Sequence, residues 1–533
     1  MGTLWFGGTI YTMCNENDKA EAVYVEEGMI KDIGSEEQLR KEYGEYITKN
    51  VDLQNTVMFP GFVDSHIHLI GLGEKLLTMD LSSKTTSDDI RTTLKEYVKS
   101  YNSGDWVIAE GWNENNLKDK KIFNRFDLDE ISPNNPMVLK RICHHAAIVN
   151  SKALQLAGIT AETTDPKGGV IVRNDKGEPT GYLLDKAVDL VTKAIPAVTT
   201  DYLNKALATS IDHCFSLGLV GAHTEDLNYY NSFSQTYETF LHVINGQSKK
   251  FRANLLVHHE VIDDMIQREL NDSSNEEFIK FGAMKIFADG ALGGRTALLS
   301  EPYHDQSSTS GIAIHSQDEL KELVKKARLY NMPVAIHVIG DLAFEYAISA
   351  IEAYPPPKGE RDRLIHAQIL RKELIERAKH LSVILDIQPT FVMSDFPWVI
   401  DRLGEDRMQY SYAWRTLIDE GFHCAGGSDA PIESANPLLG IYAAIMRKSP
   451  SDKHEGYYQD EKLTPFEAVC LYTRGSAYAV KMEQTHGKIT PGFVADFTIL
   501  DRDILQIDPE DIPLTNVVMT VVDNNIVYKS DTN

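Results

Sequence analysis

Between residues 316 and 427 the chain alternates short apolar runs with amphipathic stretches. Pro333–Ile339 is apolar with little polar alternation, as expected of a strand buried on both faces. Before it, Ser316-Gln317-Asp318-Glu319 has the form of a capping box, and Leu320, Leu323, Val324 and Ala327 follow at helical spacing. Leu342 to Ala353 predicts a second helix. A strand at 364–367, a helix near 371–380 and strands at 383–388 and 422–427 come next. Strands alternating with helices predict parallel βαβ units. The two ends read differently. Leu4–Tyr11, Ala22–Glu26 and Met29–Ile33 are short alternating strands, with Gly28 as the turn between the last two. Asp496–Leu500, Val517–Val522 and Ile526–Tyr528 repeat the pattern near the C-terminus, with Asp523-Asn524-Asn525 as a turn. The expectation is a small β-sandwich domain formed by both termini, residues 1–60 plus 486–533.

The middle, residues 61–485, is longer than the ~250 residues of a (β/α)8 barrel. Strand candidates 57–64 and 217–223 are separated by far more than the ~30 residues of one βα unit. The predicted fold class is therefore α/β: a distorted (β/α)8 TIM barrel carrying an inserted α/β subdomain at about 70–200. Composition narrows the class without touching the chemistry. Lys and Arg number 53 against 78 Asp and Glu, a net charge of −25. Such acidity disfavours nucleic acid as a partner, because phosphate binding needs cations. No apolar run is long enough to span a membrane. The N-terminal sequence has no basic region followed by an apolar stretch, as a signal peptide would. The five cysteines are scattered and form no CxxC pair, which fits a reduced, cytoplasmic chain.

The histidines carry the chemistry. Val57-Met58-Phe59 leads into Pro60-Gly61-Phe62-Val63-Asp64-Ser65-His66-Ile67-His68. Residues two apart on a strand share a face, so His66 and His68 project together and two imidazoles can hold one metal ion. A chance pair on a surface strand is the plainer alternative. Four further residues end apolar runs: Lys285 after Phe281–Met284, His337 after Val334–Ile336, His366 after Leu364-Ile365, and Asp429 after Cys424–Ser428. Ionisable groups in buried strands are costly unless paired or ligated. Strand C-termini are also where barrel enzymes place their catalytic groups. Singly, each has a structural reading: a hydrogen-bonded core histidine, a salt-bridged lysine, a helix-capping aspartate. Together they point to a metal site.

On these segments, with HHAAIVNSKAL, MKIFADGALGGRTALL, AIHVIGDLA, LIHAQ, GGSDAP, LTPFEAVCLYT and KITPGFVADFTIL, the chain resembles the amidohydrolase superfamily. The resemblance is to its family-3 branch of YtcJ-like proteins, which includes N-substituted formamide deformylases, and it covers essentially the whole chain. It implies two divalent metal ions, with His66, His68 and Asp429 on the more buried one and His337 and His366 on the more exposed one. Lys285 would be carboxylated by CO2 and bridge the pair. His and carboxylate ligands suit zinc, and by ligand type manganese, iron or nickel as well. The implied chemistry is metal-dependent hydrolysis of an amide or related C–N bond. A water held between two cations is acidified and attacks the carbonyl, with Asp429 as proton shuttle.

Weaker signals surround this set. His145, within the HHAAIVNSKAL segment, either donates to a substrate oxygen as a catalytic residue or fixes Asn150; His144 has no assigned role. Trp112 lines the pocket or packs in a core. Asp289 and Arg295 follow the Lys285 strand, and Arg295 either grips an anionic group or braces Asp289. His223 ends strand 219–222 and stands near the ligands. Residues 397–412 read as a lid or as a solvated loop and helix. The expected partner is a small-molecule substrate, with a homodimer as the default assembly. Two alternatives stand beside the hydrolase: a mononuclear deaminase on the same barrel, against which Lys285 argues, and a non-enzymatic scaffold or regulatory protein, against which the complete ligand set argues.

Overall fold

In the computed structural model of the chain, residues 2–141, 146–268 and 277–531 are described. They fall into two compact units, Met1–Gly73 with Thr200–Asn533, and Glu74–Thr199. Among the described residues no helix is long and apolar enough to cross a membrane.

The first unit contains an all-parallel sheet of eight strands in consecutive order: β1 (Phe62–Ile67), β2 (Leu219–Thr224), β3 (Arg252–His258), β4 (Ile279–Phe287), β5 (Val334–Val338), β6 (Asp362–His366), β7 (Val383–Ile387) and β8 (Cys424–Gly426). Every residue of β2, β6 and β7 is buried, as in a sheet covered on both faces, the polar Asp362, Arg363 and Asp386 included. Leu256, Ala283, Ala335 and Ile365 form an apolar cluster across β3 to β6. The helices Gln317–Leu329, Asp341–Ala353 and Lys372–Ala378 occupy the expected places between strands, and Ser316 caps the first in a full capping box with Glu319.

β1 and β8 share no ladder, so the barrel is nearly closed rather than closed. Its seam is held by other bonds. Asp429 N–H donates to His66 O at 2.7 Å and His68 N–H to Ala430 O at 2.8 Å. The buried Asp64 carboxylate accepts from the N–H groups of His66 and Ser428 at 2.9 and 3.1 Å. A Cβ on Gly427 would lie 2.6 Å from His66 N, so this close approach requires glycine.

One ion pair is buried inside the barrel wall. Arg363 on β6 donates to Asp386 on β7 at 2.7 Å and to the Ser65 carbonyl at 2.6 Å. Removing only the cation leaves a carboxylate buried without compensation. Arg363→Met is expected to lower unfolding stability by about 3–5 kcal/mol, and Arg363→Met/Asp386→Leu to regain most of it. Denaturant midpoints of the metal-free proteins measure both; an additive loss in the double variant would contradict the pairing.

The two chain ends contribute strands to one eight-stranded hydrogen-bonded sheet. Asn525–Lys529, Val517–Val522, Phe497–Leu500, Val57–Pro60, Gly2–Tyr11, Lys19–Glu26 and Met29–Gly34 follow one another, and Ile47–Asp52 pairs beside Gly2–Tyr11. The ends meet where Phe497–Leu500 runs antiparallel to Val57–Pro60. Trp5, Val23, Met58, Phe497, Ile499 and Val521 form its core. The strand expected at 57–64 therefore divides at Gly61: its first half belongs to this sheet and its second half is β1. A Cβ on Gly61 would meet Val220 at 2.5 Å, so the crossing point needs the smallest residue.

The Glu74–Thr199 unit holds a six-stranded mixed sheet from Met79–Asp80 to Gly169–Arg173, with the helices Ser87–Val98 and Arg125–Ile131. Ile90, Leu94, Val107, Trp112, Leu139 and Ile148 are among its core residues.

Candidate functional site

The C-terminal ends of the barrel strands bring the six expected ligand residues to one place. β1 delivers His66, with His68 just beyond it; β4 delivers Lys285, β5 His337, β6 His366, and the turn after β8 Asp429. His66 Nε2 lies 3.4 Å from Asp429 Oδ1 and His68 Nε2 lies 3.3 Å from the same oxygen. One ligand atom from each of these three residues falls within 4.8 Å of the others. Lys285 Nζ is 3.3 Å from His66 Nε2. The His366 ring stands 5.6 Å from that of His66 and 4.4 Å from that of His337.

The outer nitrogens fix which atoms face inward. His68 Nδ1 bonds the Glu225 carbonyl at 2.6 Å and His366 Nδ1 the Gln388 side-chain oxygen at 2.7 Å, which leaves each Nε2 toward the centre. His337 is bonded through Nε2 to Gly290 O at 3.1 Å, which leaves Nδ1. His366 and Asp429 have left-handed backbones, with φ of 75° and 57°. Such conformations are uncommon outside glycine and gather at functional sites. The convergent set of imidazoles and a carboxylate fits divalent metal ions, and zinc among them.

Burial dominates the electrostatics. It holds His66 and His337 well below the ordinary imidazole range, with Lys285 and His366 as the next causes respectively, and brings His366 to about 4. These rings are neutral, as metal ligation requires. Burial also lowers Lys285 to about 8, against the upward pull of Glu225 and Asp429. His68 is the exception: burial pushes it down, but the Asp429, Glu225 and Asp226 carboxylates together outweigh that and raise it to about 9. Asp429 correspondingly stays below the usual carboxylate range despite burial, chiefly through His68.

A pH dependence follows. In the metal-free protein His68 is protonated below about pH 9, and a metal ion must displace that proton. Apparent Mn2+ affinity is expected to rise at least tenfold per pH unit from 6 to 8 and to flatten above about 9. Competition with a chelating dye across that range measures it, and a flat profile between pH 6 and 8 would contradict His68 as a ligand.

Of the remaining expected residues, Asp289 reaches the site, with Oδ1 3.6 Å from His337 Nε2. Trp112 is fully buried in the core of the Glu74–Thr199 unit, where Nε1 donates to Leu139 O at 3.1 Å; its role there is packing. Asp289 is buried and accepts from the N–H groups of Leu298, Ile339 and Gly340 at 2.8, 3.1 and 2.8 Å, so it ties loops together. Arg295 braces Asp305 rather than Asp289, through bonds of 3.1 and 2.7 Å. His223 is buried beside Ser65, whose backbone bonds its ring. His144 and His145 lie outside the described residues. Within 397–412, Trp398–Leu403 is helical, Arg402 pairs with Asp305, and Arg407 bonds the carbonyls of Glu301 and Pro302, so the segment is anchored along its length.

One group at the site escaped the sequence reading. Glu225, directly after β2, is fully buried; its carbonyl takes His68 Nδ1, and its carboxylate accepts the Tyr229 hydroxyl. The cluster His223-Thr224-Glu225-Asp226 was a usable signal, since ionisable residues end an apolar strand there as they do at His337.

Comparison with known proteins gives a consistent picture. A family model described as "Amidohydrolase family" matches residues 49–528. The chain is 51% identical to YtcJ of Bacillus subtilis (strain 168), named as an amidohydrolase, over 99% of this chain and 100% of that one. It is 26% identical to the N-substituted formamide deformylase of Arthrobacter pascens, over 98% of this chain and 97% of that one. A solved metal-dependent hydrolase from Pyrococcus furiosus matches with a TM-score of 0.80 at 28% identity, covering 95% of this chain and 100% of that one.

Proposed function

Because the chain belongs to the amidohydrolase family and is a metal-dependent hydrolase, we propose that it cleaves an amide or related C–N bond of a small molecule at a two-metal site. His66, His68 and Asp429 hold one ion and His337 and His366 the other, with carboxylated Lys285 between them. Zinc is the ion we assign. When bound, the ions supply an acidified water and a polarised carbonyl. The chain's residues do the rest. His68 and His366 are oriented by Glu225 and Gln388, so their ligating nitrogens need no rearrangement. Asp429, ionised and close to both His66 and His68, takes the proton of the attacking water and returns it to the leaving nitrogen.

The observation that carries this reading is the convergence of six ligand-type residues from five barrel strands on one end of the barrel. The formamide class is favoured by the likeness to the Arthrobacter enzyme. Lys285 beside His66 argues against the one-metal deaminase alternative, since an ammonium there would repel a cation unless modified. The test is reconstitution with Zn2+ and a screen of formamides, N-acyl amino acids and cyclic amides against esters and lactones, with ions counted per chain. Turnover of an amide with two ions is expected. Full activity with one ion would overturn the two-metal site, and inactivity on every amide would overturn the C–N assignment.

A further inference from the structure

Tyr229 stands at the edge of the site in a fixed hydrogen-bonding state. It lies just beyond β2, and its ring meets that of His68 edge-on, with 5.7 Å between centroids. It is 48% exposed, whereas Glu225, to which its hydroxyl donates, is fully buried. Glu225 is held from the other side as well: its carbonyl accepts His68 Nδ1, and its carboxylate is 4.0 Å from that nitrogen. Its second carboxylate oxygen, Oε1, has no partner among the described residues.

The consequence follows from counting donors. A carboxylate only accepts, and a tyrosine hydroxyl has one proton and a remaining capacity to accept. Once the proton is committed to Glu225, the phenolic oxygen offers a substrate nothing but an acceptor. Burial of Glu225 makes that commitment costly to break, because a buried carboxylate without a hydrogen bond is strongly penalised. This hydroxyl is near enough to the site to feel the Asp429 charge as well as that of Glu225.

We propose that Tyr229 is a substrate-contacting specificity residue that reads an N–H, so that the enzyme selects secondary amides over N,N-disubstituted ones. This rests on the C–N hydrolase reading above. A secondary amide satisfies the acceptor through its N–H. An N-alkyl group in the same place leaves the oxygen unpaired and crowds it. Sites built to hydrogen-bond a substrate group discriminate against analogues lacking it far more sharply than apolar pockets discriminate by size.

The alternative role for Tyr229 is to shield Glu225 and His68 from water, which would affect all substrates alike. The experiment separates the two. Zinc-reconstituted wild type and Tyr229→Phe, both as the full chain, are assayed on N-butylformamide and N-butyl-N-methylformamide, and bound zinc is measured in each. The expected result is a preference of at least tenfold for the secondary amide in wild type. In Tyr229→Phe the ratio of the two kcat/KM values should fall about tenfold, the size of one hydrogen bond, at unchanged zinc content. An unchanged ratio in the variant, including an equal loss on both amides, would overturn the proposal, as would the absence of a preference in wild type. Hydrolysis of neither amide by wild type, with esters still cleaved, would instead overturn the C–N reading and this inference with it.

Discussion

Asp429→Asn is expected to keep most of its metal and to lose turnover by about 10²–10⁴-fold. The asparagine oxygen can still ligate, so the ion held with His66 and His68 should remain, at reduced affinity. What disappears is the basic oxygen. Asp429 Oδ1 is within 3.4 Å of Nε2 of both His66 and His68, and with Glu225 and Asp226 it lifts His68 to about 9. A neutral amide neither takes a proton from the attacking water nor delivers one to the leaving nitrogen. The variant should also bind metal with a shallower pH dependence between 6 and 8, because His68 holds its proton less firmly there. Metal content and kcat measured on the same preparation test both points. Wild-type turnover in Asp429→Asn would remove the proton-shuttle role.

Lys285→Met is expected to abolish activity, by at least about 10³-fold, and to lower metal content below that of wild type. The reason lies in the burial of the amine. A free lysine with a pKa of ~10.4 is almost entirely cationic at pH 8 and cannot attack CO2. Burial brings Lys285 to about 8, so roughly half of it is neutral amine at that pH. On the proposed reading the neutral nitrogen would bond to the carbon of CO2 and release a proton, giving an anionic oxygen ligand for metal. Lys285 is also wholly inaccessible in the folded chain, which would protect a carbamate there from solvent. Two measurements accompany the variant: metal reconstitution of apo wild type should be faster with bicarbonate, and Lys285 in the native holoprotein should carry the mass of one CO2. An active Lys285→Met protein with a full metal complement would overturn the bridge.

The convergence of these side chains was legible because each interrupts or ends a run of apolar residues. A charged or imidazole side chain where the pattern demands burial needs a reason, and His66, His337, His366, Lys285 and Asp429 meet at one end of the barrel. Other groups stayed hidden for the opposite cause. Arg363 and Asp386 begin or interrupt strands as surface charges often do, and only the lateral pairing of β6 with β7 turns them into a buried pair. Arg295 finds Asp305 through the path of a loop, which no periodicity encodes. β3 was missed because a short apolar run such as Ala253–Val257 does not distinguish strand from helix. The division of 57–64 between two sheets depends on the close approach of Val220 to Gly61, a contact between residues far apart in the chain. Trp112 shows the limit of reasoning from residue type: an aromatic beside a glycine reads equally as pocket lining and as core, and in the folded unit it is core.

The seam between β1 and β8 has a temporal meaning. His66 and His68 leave the ribosome early, whereas Asp429 is made only after nearly the whole barrel. At roughly 5–20 residues per second the two histidines wait some tens of seconds for the residue that completes their site. During synthesis the nascent chain can display a histidine pair but not the three-ligand set, and Asp64 cannot clasp Ser428 either. On the proposed ligand set, high-affinity metal capture would have to wait until Asp429 has been made.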